Sequence, residues 1–404
     1  MPRMSSRREH DRRGRLTVAP STLAFYQAFA PLMRGKHALD AGAGLGLGTR
    51  VLCDYAPHVT AIDSDARALE LARVQAPSAE FLHADLCHGS AVDLANAAFL
   101  IDVLGQVARP ESALRSLRAC LPGGSRLFLA EPRAYPSQRL LPPARCAFSQ
   151  ASLTRMLLRS GFELEEVAEL SANFIALIAL RSADPAVDAL VEGIQQANRN
   201  QFRAARAAFA RARQSKRLQI QLEAALGEAE ASFAANDGDG AVRCYFEANE
   251  LSDDDGRALS GLARVALATG EIDDAHRLAT ESLQRDPSDA SAHTAMAKAA
   301  ESLSLPDAWN SWRIAANLAP DDLEAATGLA RASAARQDFS FAIQAFERLR
   351  GYDSALGVQF HVTLGWLLLG AGRRRDAAAE ACHAAAIAAD HAAVRELAKA
   401  IAAA

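Results

Sequence analysis

The stretch Ala38-Leu39-Asp40-Ala41-Gly42-Ala43-Gly44-Leu45-Gly46 follows a short apolar run at His37–Ala41 and leads into a helical pattern. Glycines at such a strand-to-helix turn let the backbone pass close to a ligand, and the helix start presents free N–H groups. A dinucleotide fingerprint needs GxGxxG. Counted from Gly42 the sixth residue is Leu47, and counted from Gly44 it is Thr49. An acid two places before the first glycine also departs from the nicotinamide pattern. The loop alone does not name its ligand, but its spacing speaks against a nicotinamide-dependent enzyme.

On either side of this loop, β-like runs alternate with amphipathic helical stretches up to about residue 181. The strands are expected at His37–Ala41, Val59–Ile62, Glu80–His83, Ala97–Ile101, Arg126–Ala130, Phe162–Val167 and Phe174–Leu180, with helices such as Ala66–Val74 and Glu111–Cys120 between them. Strand alternating with helix implies a parallel sheet covered on both faces. Only Ala168–Asn173 separates the last two strands. That link is too short for a crossover helix, so the final pair is expected to be antiparallel.

Three further segments fall in order behind the glycine loop: Val59-Thr-Ala-Ile-Asp63, Phe81-Leu-His-Ala-Asp85, and Leu121-Pro-Gly-Gly-Ser-Arg-Leu-Phe-Leu-Ala-Glu-Pro132. Together with Asp40, Gly42, Gly44 and Gly46, they resemble the class I S-adenosylmethionine-dependent methyltransferases over residues 36–181. The resemblance implies a Rossmann-like, seven-stranded α/β domain with S-adenosylmethionine as cofactor. It also implies that Asp63 meets the ribose hydroxyls and Asp85 the adenine amino group, while Ser64 and Leu86 line the adenosine pocket. Asp102, at a strand end, is placed to orient the methionine portion or to act as a base. Each acid has a plainer reading: a helix cap for Asp40, a turn residue for Asp63, a loop cap for Asp85.

The expected chemistry is displacement at a sulfonium carbon, in which the protein mainly aligns nucleophile, carbon and sulfur. Here the chain departs from its relatives. Many carry an acid–His pair after the fourth strand, where this sequence reads Asp102-Val-Leu-Gly-Gln106. The acid usual near the start of that strand is replaced by Ala95-Asn96. Glutamine cannot take a proton, and among Asp102, Glu131, Tyr135 and His10 no residue stands out as a base, so the catalytic group is left open.

The second half has another rhythm. Asp184-Pro185 reads as an N-cap followed by proline at the first helical position. A small residue followed twelve places later by alanine then recurs as Gly193/Ala205, Ala229/Ala241, Ala263/Ala275, Ala330/Ala342 and Gly365/Ala377, with Ala297/Ala308 one residue short. Four places beyond stand Phe209, Tyr245, Ala279, Trp312, Phe346 and Ala381. The period of about 34 residues resembles that of tetratricopeptide (TPR) repeats. Small residues let paired helices approach, and the bulky residue fills the gap between neighbouring repeats. Residues 1–35 are thus expected to form an arm and lead-in helix, 36–181 the methyltransferase domain, and 186–404 an all-α TPR solenoid with a terminal capping helix. Arg264, Lys298 and Arg331 occupy one register of consecutive repeats, with Ser260, Thr294 and Thr327 four places earlier. A ladder of that kind suits an acidic segment or terminal carboxylate of a protein partner.

Composition bounds the rest. The 404 residues carry 44 Lys and Arg against 48 Asp and Glu, a net charge of −4, so wholesale nucleic-acid binding is not expected. Six arginines crowd the first fifteen residues, a pattern read as a solvated tail. The six cysteines show no CxxC pair, so neither a metal site nor a disulfide framework is expected. With no signal-peptide pattern and no apolar run of spanning length, a cytoplasmic location is expected. The leading function is a methyltransferase acting on a protein or glycan acceptor, its repeats docking a protein partner. The alternative is a non-catalytic TPR scaffold that keeps a cofactor-binding domain.

Overall fold

Every run read as a strand forms one: the inner strands bury side chains on both faces, while the strands Glu80–His83 and Phe162–Ala168 are largely exposed. The computed structural model describes residues 9–10, 16–17, 20–88, 94–107, 109–133, 148–170, 172–319, 322–350 and 357–403. They fall into two compact units, Met1–Arg199 and Asn200–Ala404.

In the first unit, helix α1 (Pro20–Phe29) precedes β1 (His37–Ala41), α2 (Leu47–Cys53), β2 (His58–Asp63), α3 (Ala66–Gln75) and β3 (Glu80–His83). Strand β4 (Ala97–Ile101), α4 (Pro110–Ala119), β5 (Arg126–Pro132), α5 (Gln150–Arg159), β6 (Phe162–Ala168) and β7 (Phe174–Arg181) follow. The seven strands lie in the order β3-β2-β1-β4-β5-β7-β6. All neighbours are parallel except β7, which runs antiparallel to both β5 and β6, as the short link requires. Along β5, Leu127 and Leu129 enter one core with Leu39, Ile62, Leu114 and Leu157. Phe128 and Ala130 enter the other with Phe25, Met33 and Phe99. Burial on both faces is why these strands read as nearly continuous apolar runs. The order reverses at β1, whose neighbours are β2 and β4, and the crevice outside the carboxyl ends at such a reversal is where open sheets place ligands. Asn96 also has a structural use: its Oδ1 accepts the His37 N–H at 2.8 Å, fixing the start of β4 beside β1.

Helix α6 (Pro185–Asn198) is capped by Asp184, which accepts the Ala186 N–H at 2.8 Å. The sequence reading made α6 the first half of a repeat, yet it falls in the first unit. Its Asp188 pairs with Arg118 of α4, and it packs on α5.

The second unit is wholly helical: α7 (Phe202–Ala212), α8 (Leu218–Ala234), α9 (Gly238–Leu251), α10 (Arg257–Thr269), α11 (Ile272–Arg285), α12 (Ala290–Ser302), α13 (Ala308–Leu318), α14 (Leu323–Arg336), α15 (Ser340–Leu349), α16 (Val358–Gly370), α17 (Arg374–Ala388) and α18 (Ala392–Ala403). Ala229, Ala241, Ala263, Ala275 and Ala342 are fully buried, and Phe209, Tyr245, Trp312 and Phe346 nearly so. Three of these bulky side chains, Phe209, Tyr245 and Trp312, each seat on a glycine of the next helix pair. A Cβ on Gly227 would lie 2.6 Å from Phe209, one on Gly261 2.2 Å from Tyr245, and one on Gly328 2.4 Å from Trp312. These glycines stand two places before the small residues of the period. No helix among the described residues is long and apolar enough to cross a membrane.

Because Tyr245 and Trp312 are buried and cannot swing away, Gly261→Ala and Gly328→Ala should each destabilise the helical unit by about 1–3 kcal/mol. Thermal unfolding followed by circular dichroism would show a lower midpoint for each. An unchanged midpoint would mean that the helices part freely there.

Candidate active site

The crevice at the switch point is built around buried carboxyls. Asp40 ends the apolar part of β1 and is 0% exposed. The Tyr26 hydroxyl of α1 donates to its Oδ1 at 2.7 Å, and the Thr49 hydroxyl of α2 donates to its Oδ2 at 2.6 Å. Burial, reinforced by the nearby Asp63 charge, pushes its carboxyl up to about 6 against the pull of those two hydrogen bonds. Burial and Asp40 likewise hold the Tyr26 hydroxyl well above the usual tyrosine range. Asp40 therefore lies beneath the glycine loop and ties α1, β1 and α2 together. The sequence had treated it as a cofactor ligand. Tyr26 and Thr49 were not anticipated, since a lone tyrosine on an amphipathic helix and a threonine beyond the glycines carry no motif.

The loop itself is fixed by close approach. Gly42 sits at φ +87°, and a Cβ there would lie 2.4 Å from Val103. Gly46 sits at φ +79°, and a Cβ there would lie 2.7 Å from the Ala72 backbone. The N–H groups of Gly42 and Ala43 both donate to the Ile62 carbonyl, at 2.8 and 2.9 Å. Asp63, at the carboxyl end of β2, accepts the Gly44 N–H at 2.7 Å and the Asp65 N–H at 2.9 Å. Gly42, Gly44, Gly46, Asp40 and Asp63 are thus brought together.

The remaining candidates spread around that centre. Ser64 is exposed, and its carbonyl pairs with the His83 ring at 3.0 Å. Asp85 is exposed after β3. Against the upward push of partial burial, the Cys87 N–H and the His88 ring hold its carboxyl below the usual range. Leu86 is buried in the core with Leu39 and Ile62. Asp102 follows β4 in the left-handed region, at φ +58°. Such backbone costs about 1–3 kcal/mol and clusters at functional sites. Gln106 donates its side-chain amide to the Asp102 carbonyl. Tyr135, the N-terminal arginines and the side chain of His10 lie outside the described residues.

Glu131 is the residue whose role the sequence left between base and turn. It is fully buried at the end of β5, and Oε1 accepts the Val103 and Leu104 N–H groups at 2.9 and 2.6 Å. Oε2 accepts the Gly105 N–H at 3.1 Å. One side chain therefore shapes the whole turn after β4. Burial, then the Asp102 charge, pushes its carboxyl up to about 8, while the three N–H donors pull the other way.

In the helical unit, the three cations read as a partner ladder are matched internally. Arg264 pairs with Glu230 at 2.7 Å, Lys298 with Glu324, and Arg331 with Glu301. Ser260 and Thr294, read as part of the same face, are buried.

Residues 9–167 match the family model of a methyltransferase domain, and residues 232–299 match that of a tetratricopeptide repeat. The chain carries a methyltransferase domain followed by TPR repeats. A curated relative, trans-aconitate 2-methyltransferase of Paracidovorax citrulli (strain AAC00-1), is 35% identical over 145 residues, or 32% of this chain. The match spans 54% of that relative, about half its length. Among solved structures, an S-adenosylmethionine-dependent methyltransferase of Aquifex aeolicus is 18% identical, covering 40% of this chain and 93% of its own, with a TM-score of 0.35. The 1,6-didemethyltoxoflavin-N1-methyltransferase of Burkholderia thailandensis, solved with 1,6-didemethyltoxoflavin and S-adenosylhomocysteine, is 18% identical, covering 40% of this chain and 78% of its own at 0.34.

Two outcomes follow from the buried carboxyls of the methyltransferase domain. With Glu131 raised to about 8 from an unfolded value of 4.5, the native state keeps a proton that the unfolded chain releases between those values. Its stabilising contribution should be complete below about pH 4.5 and fade as pH rises towards 8, by at most about 1.4 kcal/mol per pH unit. Denaturant melts across that range should show the slope in the native protein, and Glu131→Gln should flatten it. Tyr26→Phe should cost about 1–3 kcal/mol, because the buried Asp40 then keeps one donor in place of two. Denaturant midpoints would measure it.

Proposed function

We propose that the chain transfers a methyl group from S-adenosylmethionine to an acceptor, with the crevice at the β1 switch point as the cofactor site. The observation that carries this reading is the glycine loop at the switch point: Gly44, on the loop that leaves β1, meets Asp63 at the carboxyl end of β2. A carboxylate there suits the hydroxyls of an adenosyl group, and the loop lacks the glycine spacing that a dinucleotide needs.

The residues present fit such a cofactor. A carboxylate offers about four lone-pair sites. Asp63 uses two of them on backbone N–H groups, and the others suit a vicinal diol. When bound, the cofactor supplies a methyl group on an activated sulfur, displaced in line by the acceptor. The protein's work is then to hold and orient. Asp40 and its two hydroxyl partners keep the glycine loop against β1, and Glu131 holds the Val103–Gly105 turn opposite it. Gln106 occupies the position of a base and cannot act as one, so the acceptor's proton leaves by another group or to solvent.

The TPR repeats support docking of a protein partner, and the acceptor favoured by that pairing of domains is a protein side chain or a glycan. The name of the curated relative offers a small carboxylic acid instead. Labelled methyl groups from S-adenosylmethionine, incubated with the protein and a cell lysate, separate the two by the size of the labelled product. Calorimetry should show S-adenosylmethionine binding to the full chain. Asp63→Ala should weaken it by about 1.5–3 kcal/mol, roughly 10–150-fold, as for lost hydrogen bonds to a charged group. If the native protein gives no heat with the cofactor, the crevice is not a cofactor site; if it binds the cofactor but labels no acceptor, the chain is the non-catalytic scaffold.

A further inference from the structure

The last full helix pair holds a side-chain cluster that the methyltransferase reading does not use. His361 lies on α16, and Glu380 and His383 lie three residues apart on α17, hence on one face of that helix. His361 Nδ1 is 2.8 Å from Glu380 Oε2, and His383 Nδ1 is 3.9 Å from the same oxygen. One donor atom from each of the three residues lies within 4.8 Å of the others, and no other such group of His, Cys, Asp or Glu occurs among the described residues. Glu380 is buried at 5% exposure, and Arg350 donates to its other oxygen, Oε1.

We propose that His361, Glu380 and His383 form a zinc site that staples α16 to α17. Zinc ligands stand about 2.0–2.2 Å from the metal in a tetrahedron, which places neighbouring donor atoms roughly 3.3–3.5 Å apart. The two distances to Glu380 Oε2 lie on either side of that spacing, so small rotations of the two rings bring both to it. Two imidazoles and one carboxylate suit zinc rather than magnesium or calcium, which take oxygen ligands. Arg350 supplies what a metal-bound carboxylate ordinarily has, a hydrogen bond on its second oxygen. A plain ion-pair network accounts for Arg350, Glu380 and His361. His383, one helical turn from Glu380 and with its ring centroid 5.4 Å from that of His361, brings a second imidazole to the same oxygen. Three protein ligands leave a fourth position open.

No CxxC pair and no familiar metal-ligand spacing in the sequence marks this site. The one local signal was the Glu380-x-x-His383 spacing, and its partner histidine comes from another helix.

The test is titration of the metal-free full chain with zinc chloride alone, read by calorimetry and by thermal unfolding. One zinc ion per chain and a raised midpoint are expected. His383→Ala should lose at least about tenfold in affinity, the loss that even an outer partner's removal brings, and should lose the midpoint shift. His383 is an exposed residue, so this variant keeps its fold and its result stands even if His361→Ala or Glu380→Gln unfolds. His391→Ala, exposed and outside the cluster, should bind as the native chain does. Absence of zinc binding, equal binding of magnesium, or native affinity in His383→Ala would each overturn the proposal. None of these outcomes depends on S-adenosylmethionine binding.

Discussion

A carboxyl buried without a cation holds the methyltransferase domain together at its working edge. Asp40 accepts from Tyr26 and Thr49, so three elements that are separate in sequence meet at one side chain. A buried carboxyl is costly unless its oxygens are satisfied, which makes the position of α1 and α2 over the sheet a matter of hydrogen-bond geometry as well as apolar contact. The close fit of Tyr26 extends this, for a Cβ on Gly48 would lie 2.3 Å from its ring. The glycine loop inherits its place from that arrangement. Asp63 then meets Gly44 from the next strand, and Glu131 meets the turn after β4. Three acids, each at the end of a different strand, fix the three loops that border the crevice.

The strands were legible because each is a run of apolar residues ending in a polar turn, and the antiparallel finish followed from the length of one loop. The helical period was legible because one spacing recurs five times, and once more a residue short, with small residues at the contacts. The roles of individual acids were less so. Asp40 sits in a motif position whose usual reading points outward to a ligand, and only the fold shows a tyrosine from the lead-in helix reaching it. Glu131 looks like a turn residue beside Pro132 until β5 is placed centrally in the sheet, which turns its side chain into the interior. The cation register of the repeats was only partly legible for a similar reason. Sequence places Arg264, Lys298 and Arg331 on one face, but not the glutamates of neighbouring repeats beside them.

The helical unit solves a different problem. An Ala-rich solenoid has little bulk per helix, so its contacts depend on where the few large residues go. Phe209, Tyr245 and Trp312 each enter the next helix pair over a glycine, and where alanine holds the equivalent register, as at Ala279, it meets Ala263 and Ala295, with Leu267, Leu278 and Met296 packed against them. Polar groups complete these junctions: the Tyr245 hydroxyl donates to Glu230 at 2.6 Å, and the Trp312 indole N–H donates to Glu301 at 2.9 Å.

Those same glutamates receive Arg264 and Arg331; the Arg264–Glu230 pair spans 34 residues, and so do Arg257 with Glu223 and Arg213 with Glu247. Opposite charges one period apart mean that each module is written for a particular neighbour. Shuffling modules of the array, or duplicating one beside itself, would set like charges face to face at these junctions despite the common length. The array's order is thus encoded in its charges, and growth by simple copying of a unit is closed to it unless both partners of a pair change together.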